Sequence, residues 1–174
     1  MRRLALTLAV LAIPVHAESL CGWTDDAALR SALAGSWAYD GAWSFVTASD
    51  EGDPAIEGTA EIAQDGSITV LGVTDVVMPE LTPTLGDMVY DVDQVDDLLD
   101  TVNADWIADA VSATPCGPED LPQLSAIYAV DEDLSGQLTL VAYATDQVVL
   151  LLEAEWRGDW GLAFVTAATL MTPN

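Results

Sequence analysis

The last third of the chain constrains the fold most, because apolar segments alternate there with short polar breaks. Three breaks, at residues 131–136, 145–147 and 157–161, divide residues 124–171 into four segments rich in β-branched and aromatic side chains. Short segments of this composition, separated by turn residues, are typical of an antiparallel meander. The sequence therefore predicts four consecutive antiparallel strands in this region.

Further strand signals occur upstream of the meander. Asp65-Gly66 separates residues 56–62 from residues 67–73 and is a strong hairpin signal. An earlier aromatic-rich segment, residues 36–47, predicts a first strand that bends at Gly41. We expect a mainly β fold of about seven or eight strands, arranged as an antiparallel up-and-down β-barrel or a sandwich, with one or two covering helices.

Two segments have features of helices instead. The first begins near Thr24, a candidate N-cap, and ends at Gly35. The second is a helical insertion at about residues 92–113, where apolar residues recur at helical spacing and predict one amphipathic helix of about four turns. Because residues 148–152 are apolar on both faces, we expect this helix to cover that strand from outside; a partner's groove is the alternative.

The first seventeen residues resemble a secretory signal peptide. Arg2 and Arg3 form a basic start, an apolar run of about ten residues follows, and Val15-His16-Ala17 fits a cleavage site. A run of this length is too short to span a bilayer. We expect a signal peptide at 1–17, a single β-rich domain at 18–174, and a soluble exported protein of a bacterial periplasm or the extracellular space.

The charge balance excludes one class of partner. Cleavage after Ala17 removes Arg2 and Arg3, so that Arg30 and Arg157 remain against 29 acidic residues and the formal charge moves from −25 to −27. A nucleic-acid partner requires a basic patch, which this composition does not provide. The acidity either attracts a cationic partner or keeps the protein hydrated in salty surroundings.

Two cysteines predict a structural disulfide. Cys21 and Cys116 are the only cysteines, and neither has a basic neighbour in sequence that would favour a reactive thiolate. An exported chain permits their pairing. The bridge would close a loop of about 95 residues.

The composition argues against an enzyme. The chain after Ala17 contains no histidine or lysine, so the usual serine-based catalytic arrangements are missing, and we expect no catalytic residues. A hydrolase based on paired carboxylates remains open. We expect no cofactor.

Calcium is the one metal to consider. Asp131, Asp133 and Ser135 occupy the first, third and fifth places of a loop with Gly136 at the sixth, as at the start of an EF-hand loop. The twelfth place is Ala142, which cannot be a ligand through its side chain. A hairpin turn explains the same residues.

Three short motifs resemble those of the bacterial lipocalin-like (calycin-type) β-barrel proteins. Gly35-Ser36-Trp37 follows a short helix and opens the first strand, as the family's G-x-W motif does. Thr145-Asp146 precedes the last two strands, like the family's Thr-Asp motif, and residues 63–67 form a similar hairpin. The chain departs from the family at Val148, where an aromatic residue is usual. The resemblance implies a barrel in which Trp37 is structural at the closed end, and the ligand enters at the other end.

We therefore expect a non-catalytic binding protein that holds a small apolar or amphipathic molecule in a β-barrel. The candidate wall residues are Trp43, Tyr128, Tyr143 and Phe164, and Arg157, between two tryptophans, is a candidate structural residue. The alternative is an acidic protein-binding module, such as an inhibitor of a cationic extracytoplasmic enzyme. A structural domain without a ligand is the third hypothesis.

Overall fold

The computed structural model describes residues 18–48, 51–52, 54–71, 80–86, 89–129, 132–159 and 161–174. The predicted signal peptide, Asp131 and Trp160 lie outside these ranges. The strands are β1 (Gly35–Val46), β2 (Glu51–Gly52), β3 (Ala55–Ile62), β4 (Ile68–Leu71), β5 (Thr84–Leu85), β6 (Gln123–Ala129), β7 (Leu134–Ala144), β8 (Gln147–Gly158) and β9 (Gly161–Pro173). The helices are α1 (Asp26–Leu33), α2 (Val92–Thr101), α3 (Trp106–Val111) and a 3₁₀ turn at Pro118–Asp120.

The strands form one antiparallel sheet that curls into a half-barrel. Their order is β4-β3-β1-β9-β8-β7-β6-β5, and the short β2 pairs with the end of β1. The predicted C-terminal meander is confirmed, since β6, β7, β8 and β9 pair with their sequence neighbours. The last strand then pairs with the first over ten residue positions, from Trp37↔Pro173 to Val46↔Phe164.

Alternation along the strands divides the apolar residues between two faces. The concave face carries Trp37, Tyr39, Leu138, Leu140 and Leu150, together with α1 residues, in one buried cluster. On the convex face, a second cluster joins the sheet to α2 and α3. The mainly β, antiparallel prediction with covering helices is confirmed, in the form of a half-barrel.

The helical insertion covers the outer face of β8. This was predicted from residues 148–152 of that strand, which are apolar on both faces. Val95 and Leu99 of α2 share the convex cluster with Val149 and Leu151 of β8. The prediction of one continuous helix is wrong, however. Asn103 has a left-handed φ of 55°, and the Ala104 amide donates to the Leu99 carbonyl, so α2 ends there before α3 begins.

The N-terminal segment is joined both to the chain after α3 and to the sheet. The predicted disulfide is confirmed, with a Cα–Cα distance of 6.1 Å between Cys21 and Cys116. Leu20 is fully buried, and its amide donates to the Tyr143 carbonyl. Asp25 caps α1 by accepting from the Ala28 amide, in place of the predicted Thr24. In the described part of the chain, no helix is long and apolar enough to cross a membrane.

Candidate functional site

The concave face of the half-barrel contains a partly open apolar cavity of about 70 Å³. It lies between strands from both halves of the sheet. Its lining residues are Tyr39, Trp43, Ile56, Val70, Leu138, Leu150, Leu152, Val165, Ala167 and Thr169.

Small residues on β1 and β9 leave this space open. Ala167 lies between Trp43 of β1 and Leu152 of β8 in the register, so a methyl group separates two large side chains. Gly41 lies opposite Thr169, and a Cβ atom there would come within 2.6 Å of the Thr169 Cα. Glycine therefore allows β1 to approach β9 closely, where the sheet bends around the cavity.

Thr169 gives the cavity one unusual polar atom. The residue is 2% exposed, and its Oγ1 atom has no hydrogen-bond partner among the described residues. A buried hydroxyl without a partner costs about 1–3 kcal/mol, and almost all buried polar groups in proteins have one. The cavity wall thus contains one hydroxyl without a partner in otherwise apolar surroundings, and that oxygen itself exposes almost no surface to the cavity.

Tyr39 forms a fixed part of the cavity wall. Its hydroxyl donates to the Leu71 carbonyl at 2.7 Å, and its ring lies over Gly58, its register partner on β3. Burial raises the pKa of Tyr39 above its usual value. This side chain is therefore neutral and already bonded, which leaves Thr169 as the polar group of the cavity that still requires a partner.

One end of the half-barrel is filled by α1 and its contacts. Trp37 Nε1 donates to the Leu33 carbonyl at 2.9 Å, and Leu33 is fully buried. Arg30 pairs with Asp26 and also donates to the Asp65 carbonyl (3.0 Å) and the Pro83 carbonyl (2.9 Å). Arg30 thereby links α1, the β3–β4 turn and the segment before β5.

A backbone bridge strengthens this filled end. Ile68 and Leu81 exchange two backbone hydrogen bonds, at 2.7 and 3.1 Å, and so connect β4 to the segment that leads into β5. Access to the cavity must therefore come from elsewhere on the concave side.

The four candidate wall residues do not lie together. Trp43 lines the cavity. Tyr128 is buried on the concave face but lies over Gly136, outside the cavity lining. Tyr143 belongs to the convex cluster under the helices, and Phe164 is 54% exposed on the convex face.

Arg157 lies beside one of the calcium candidates, since its amide donates to the Asp133 carbonyl at 2.7 Å. The Arg157 side chain is 63% exposed and approaches Glu155 at 3.9 Å. Asp133 immediately precedes β7, and Ser135 is the second residue of that strand. Among the described residues, no group of three or more acidic, histidine or cysteine side chains is arranged to hold a metal ion.

Sequence reasoning missed Thr169 and most aliphatic wall residues. One signal was available: residues 163, 165, 167, 169 and 171 alternate toward the concave face, and Thr169 is the only polar residue among them. Threonine is common in strands, however, and its lack of a partner is visible only in three dimensions.

Comparison with known proteins gives no match. The chain is not significantly similar to any protein-family model, curated protein or solved structure. The curled antiparallel half-barrel is compatible with a lipocalin-like fold.

Proposed function

We propose that this is a non-catalytic binding protein, which holds a small apolar or amphipathic molecule on the concave face of its half-barrel. The observation that carries the proposal is the unpartnered Thr169 hydroxyl in an apolar cavity. If the Thr169 side chain rotates toward the cavity, a ligand with one polar atom there would satisfy the hydroxyl, while its apolar part would be removed from water among the aliphatic side chains.

An organic ligand fits this site better than water does. A buried water molecule is normally held by two to four polar partners, whereas apolar cavities stay dry. Thr169 Oγ1 supplies one partner, and the Tyr39 hydroxyl is already bonded to Leu71. The site therefore favours an apolar occupant with a single polar group.

The size of the cavity limits what it can hold. At about 70 Å³ it is well below the roughly 300 Å³ of a typical ligand pocket. Because the cavity is partly open, a larger molecule can insert one end and extend across the concave face. We infer a slender ligand, such as one with an alkyl chain and a terminal hydroxyl or carbonyl group.

Two further features support a carrier that works outside the cytoplasm. Residues 1–17 resemble a secretory signal, and a Cys21–Cys116 disulfide is compatible with an oxidising compartment. The lipocalin-like motifs around Trp37 and Thr145 fit the same function, since that family carries apolar ligands.

The substitution Thr169→Val tests the role of the hydroxyl. We expect the ligand-free variant to be more stable than the wild type by roughly 1 kcal/mol, since a methyl group replaces an unsatisfied hydroxyl of similar size. Its affinity for 1-hexanol should fall about three- to tenfold, whereas n-heptane should bind both proteins equally. Amide shifts of β8 and β9 in NMR titrations give both affinities.

Two controls make this test decisive. Thr172→Val, an exposed position on the opposite face of the same strand, should change neither affinity. Ala167→Leu should fill the cavity and abolish binding of both probes. Equal 1-hexanol binding to the wild type and Ala167→Leu would contradict the proposed site.

A further inference from the structure

Part of the convex face has no covering helix among the described residues. The α2–α3 pair covers the part around Val149 and Leu151. Tyr90 packs against the edge of this covered cluster. Beyond it lies what we call the outer patch, which consists of Val46, Ile127, Glu153, Glu155 and Phe164. A shallow groove of about 530 Å³, lined by four of these residues, crosses it.

The register shows that the outer patch is continuous. Phe164 of β9 lies opposite both Val46 and Glu155 in one row across the strands. In the adjacent row, Gln137 lies between Ile127 and Glu153. The patch extends over five neighbouring strands, from Val46 on β1 to Ile127 on β6, and adjacent strands are about 4.8 Å apart.

The apolar members of the outer patch are unusually exposed. Ile127 is 82% exposed, Phe164 54% and Val46 48%. Exposed apolar side chains grouped on one surface, with charged residues among them, are typical of protein interaction sites.

The acidic members lie between the apolar ones. Glu153 accepts from the Tyr90 hydroxyl at 2.6 Å, which holds its carboxylate at the border of the helix cover. Within the described ranges, the ion pair of Glu155 is a long contact of 3.9 Å with Arg157, and both side chains are more than half exposed. Such a contact is weak in water, so a cationic group can replace it easily.

We propose that the outer patch docks a basic protein segment, whose lysine or arginine side chains pair with Glu153 and Glu155 while its apolar side chains cover Ile127 and Phe164. The formal charge of −25 attracts such a partner at long range. The same charge opposes a second copy of this chain, because a symmetric contact would bring identical glutamates together. This site is on the opposite face of the sheet from the cavity and does not depend on it.

A pair of synthetic peptides provides the probe. The first has eight residues in blocks of two lysines and two leucines, so that an extended chain presents both side-chain types on each face. The second has serine in place of leucine and the same charge. We expect the leucine peptide to bind more tightly and to shift the amides of Ile127, Gln137, Glu155 and Phe164 in NMR titrations.

Variants at exposed positions identify the surface. Ile127→Ser combined with Phe164→Ser should weaken the leucine peptide at least fivefold and bring it close to the serine peptide, and Glu155→Gln should weaken both. The matched controls, Val92→Ser on α2 and Glu57→Gln on β3, lie at exposed positions outside the patch and should retain wild-type affinity.

Two results would overturn the proposal. Equal binding of the two peptides to the wild type would show charge attraction without an apolar contact. Shifts centred on the aspartates of α2 and α3, or an equal loss in Val92→Ser, would place the binding elsewhere.

Discussion

Gln123 is almost completely buried, and both ends of its side-chain amide are hydrogen-bonded. Its Oε1 accepts from the Tyr90 amide at 2.8 Å, while its Nε2 donates to the carbonyls of Tyr90 (2.7 Å) and Pro118 (2.9 Å). A single side chain thus fixes the segment before α2 to β6.

The substitution Gln123→Leu removes these three bonds but keeps the approximate volume. We expect a loss of about 2–4 kcal/mol in the free energy of unfolding, because the Tyr90 amide and carbonyl lose these bonds and the Pro118 carbonyl loses one of its two donors, the other being the Leu121 amide. Urea unfolding gives the value, and hydrogen exchange at the Tyr90 amide should accelerate. Gln64→Leu, at an exposed turn position, is the control; a similar loss there would contradict this explanation.

At the scale of the elements, α2 and α3 bring several carboxylates together. A hydrogen bond with Asp100 raises the pKa of Asp105 above its usual value, and the nearby charges of Asp100, Asp109 and Asp96 add to this effect. A raised pKa in the folded state means that the proton on Asp105 stabilises the fold. This contribution is present at low pH and is lost as the pH rises through the raised pKa.

Asp105→Asn should therefore stabilise the helix pair at neutral pH. The amide can still donate to Asp100, and one repulsive charge is removed. We expect a higher Tm than the wild type at pH 7 and a smaller difference as the pH falls through the raised pKa of Asp105, since the wild-type side chain then takes up its proton. Asp97→Asn on α2 accounts for the general effect of removing one charge. If its gain equals that of Asp105→Asn at every pH, the specific interaction with Asp100 is absent.

The elements that the sequence predicted are those that local patterns determine. The strands β6–β9 and the hairpin at Asp65-Gly66 follow from alternation and turn residues within a few positions. The break between α2 and α3 was missed because apolar spacing continues through Val102 and Ile107, whereas the left-handed Asn103 ends the helix.

Contacts between segments distant along the chain could not be predicted from the sequence. The pairing of β1 with β9 joins residues more than a hundred positions apart, and it places Thr169 beside Gly41. The cavity depends on this pairing, so its lining could not be identified from composition. Among the aromatic residues, strand alternation alone could not separate Trp43, at the cavity, from Phe164, on the outer face.

At the scale of the whole molecule, negative charge is poorly compensated. The chain carries 29 acidic residues against four arginines and lysines. In the described ranges, the ion pairs are Arg30 with Asp26 and Arg157 with Glu155, both between residues close in sequence. Most carboxylates therefore repel one another across the surface, which destabilises the compact state.

Added salt should stabilise the protein because it screens the repulsion between carboxylates. Raising NaCl from 0.01 to 1 M shortens the screening length from about 30 to about 3 Å, so we expect the Tm at pH 7 to rise with salt. Near pH 4.1, the sequence pI, the net charge is small and the same salt series should have much less effect. Calorimetry at both pH values separates charge screening from a general salt effect. An equal rise in Tm at both pH values would assign the stabilisation to salt exclusion from the surface. A Tm that does not change with salt at pH 7 would mean that the carboxylates are spaced widely enough for their repulsion to be negligible.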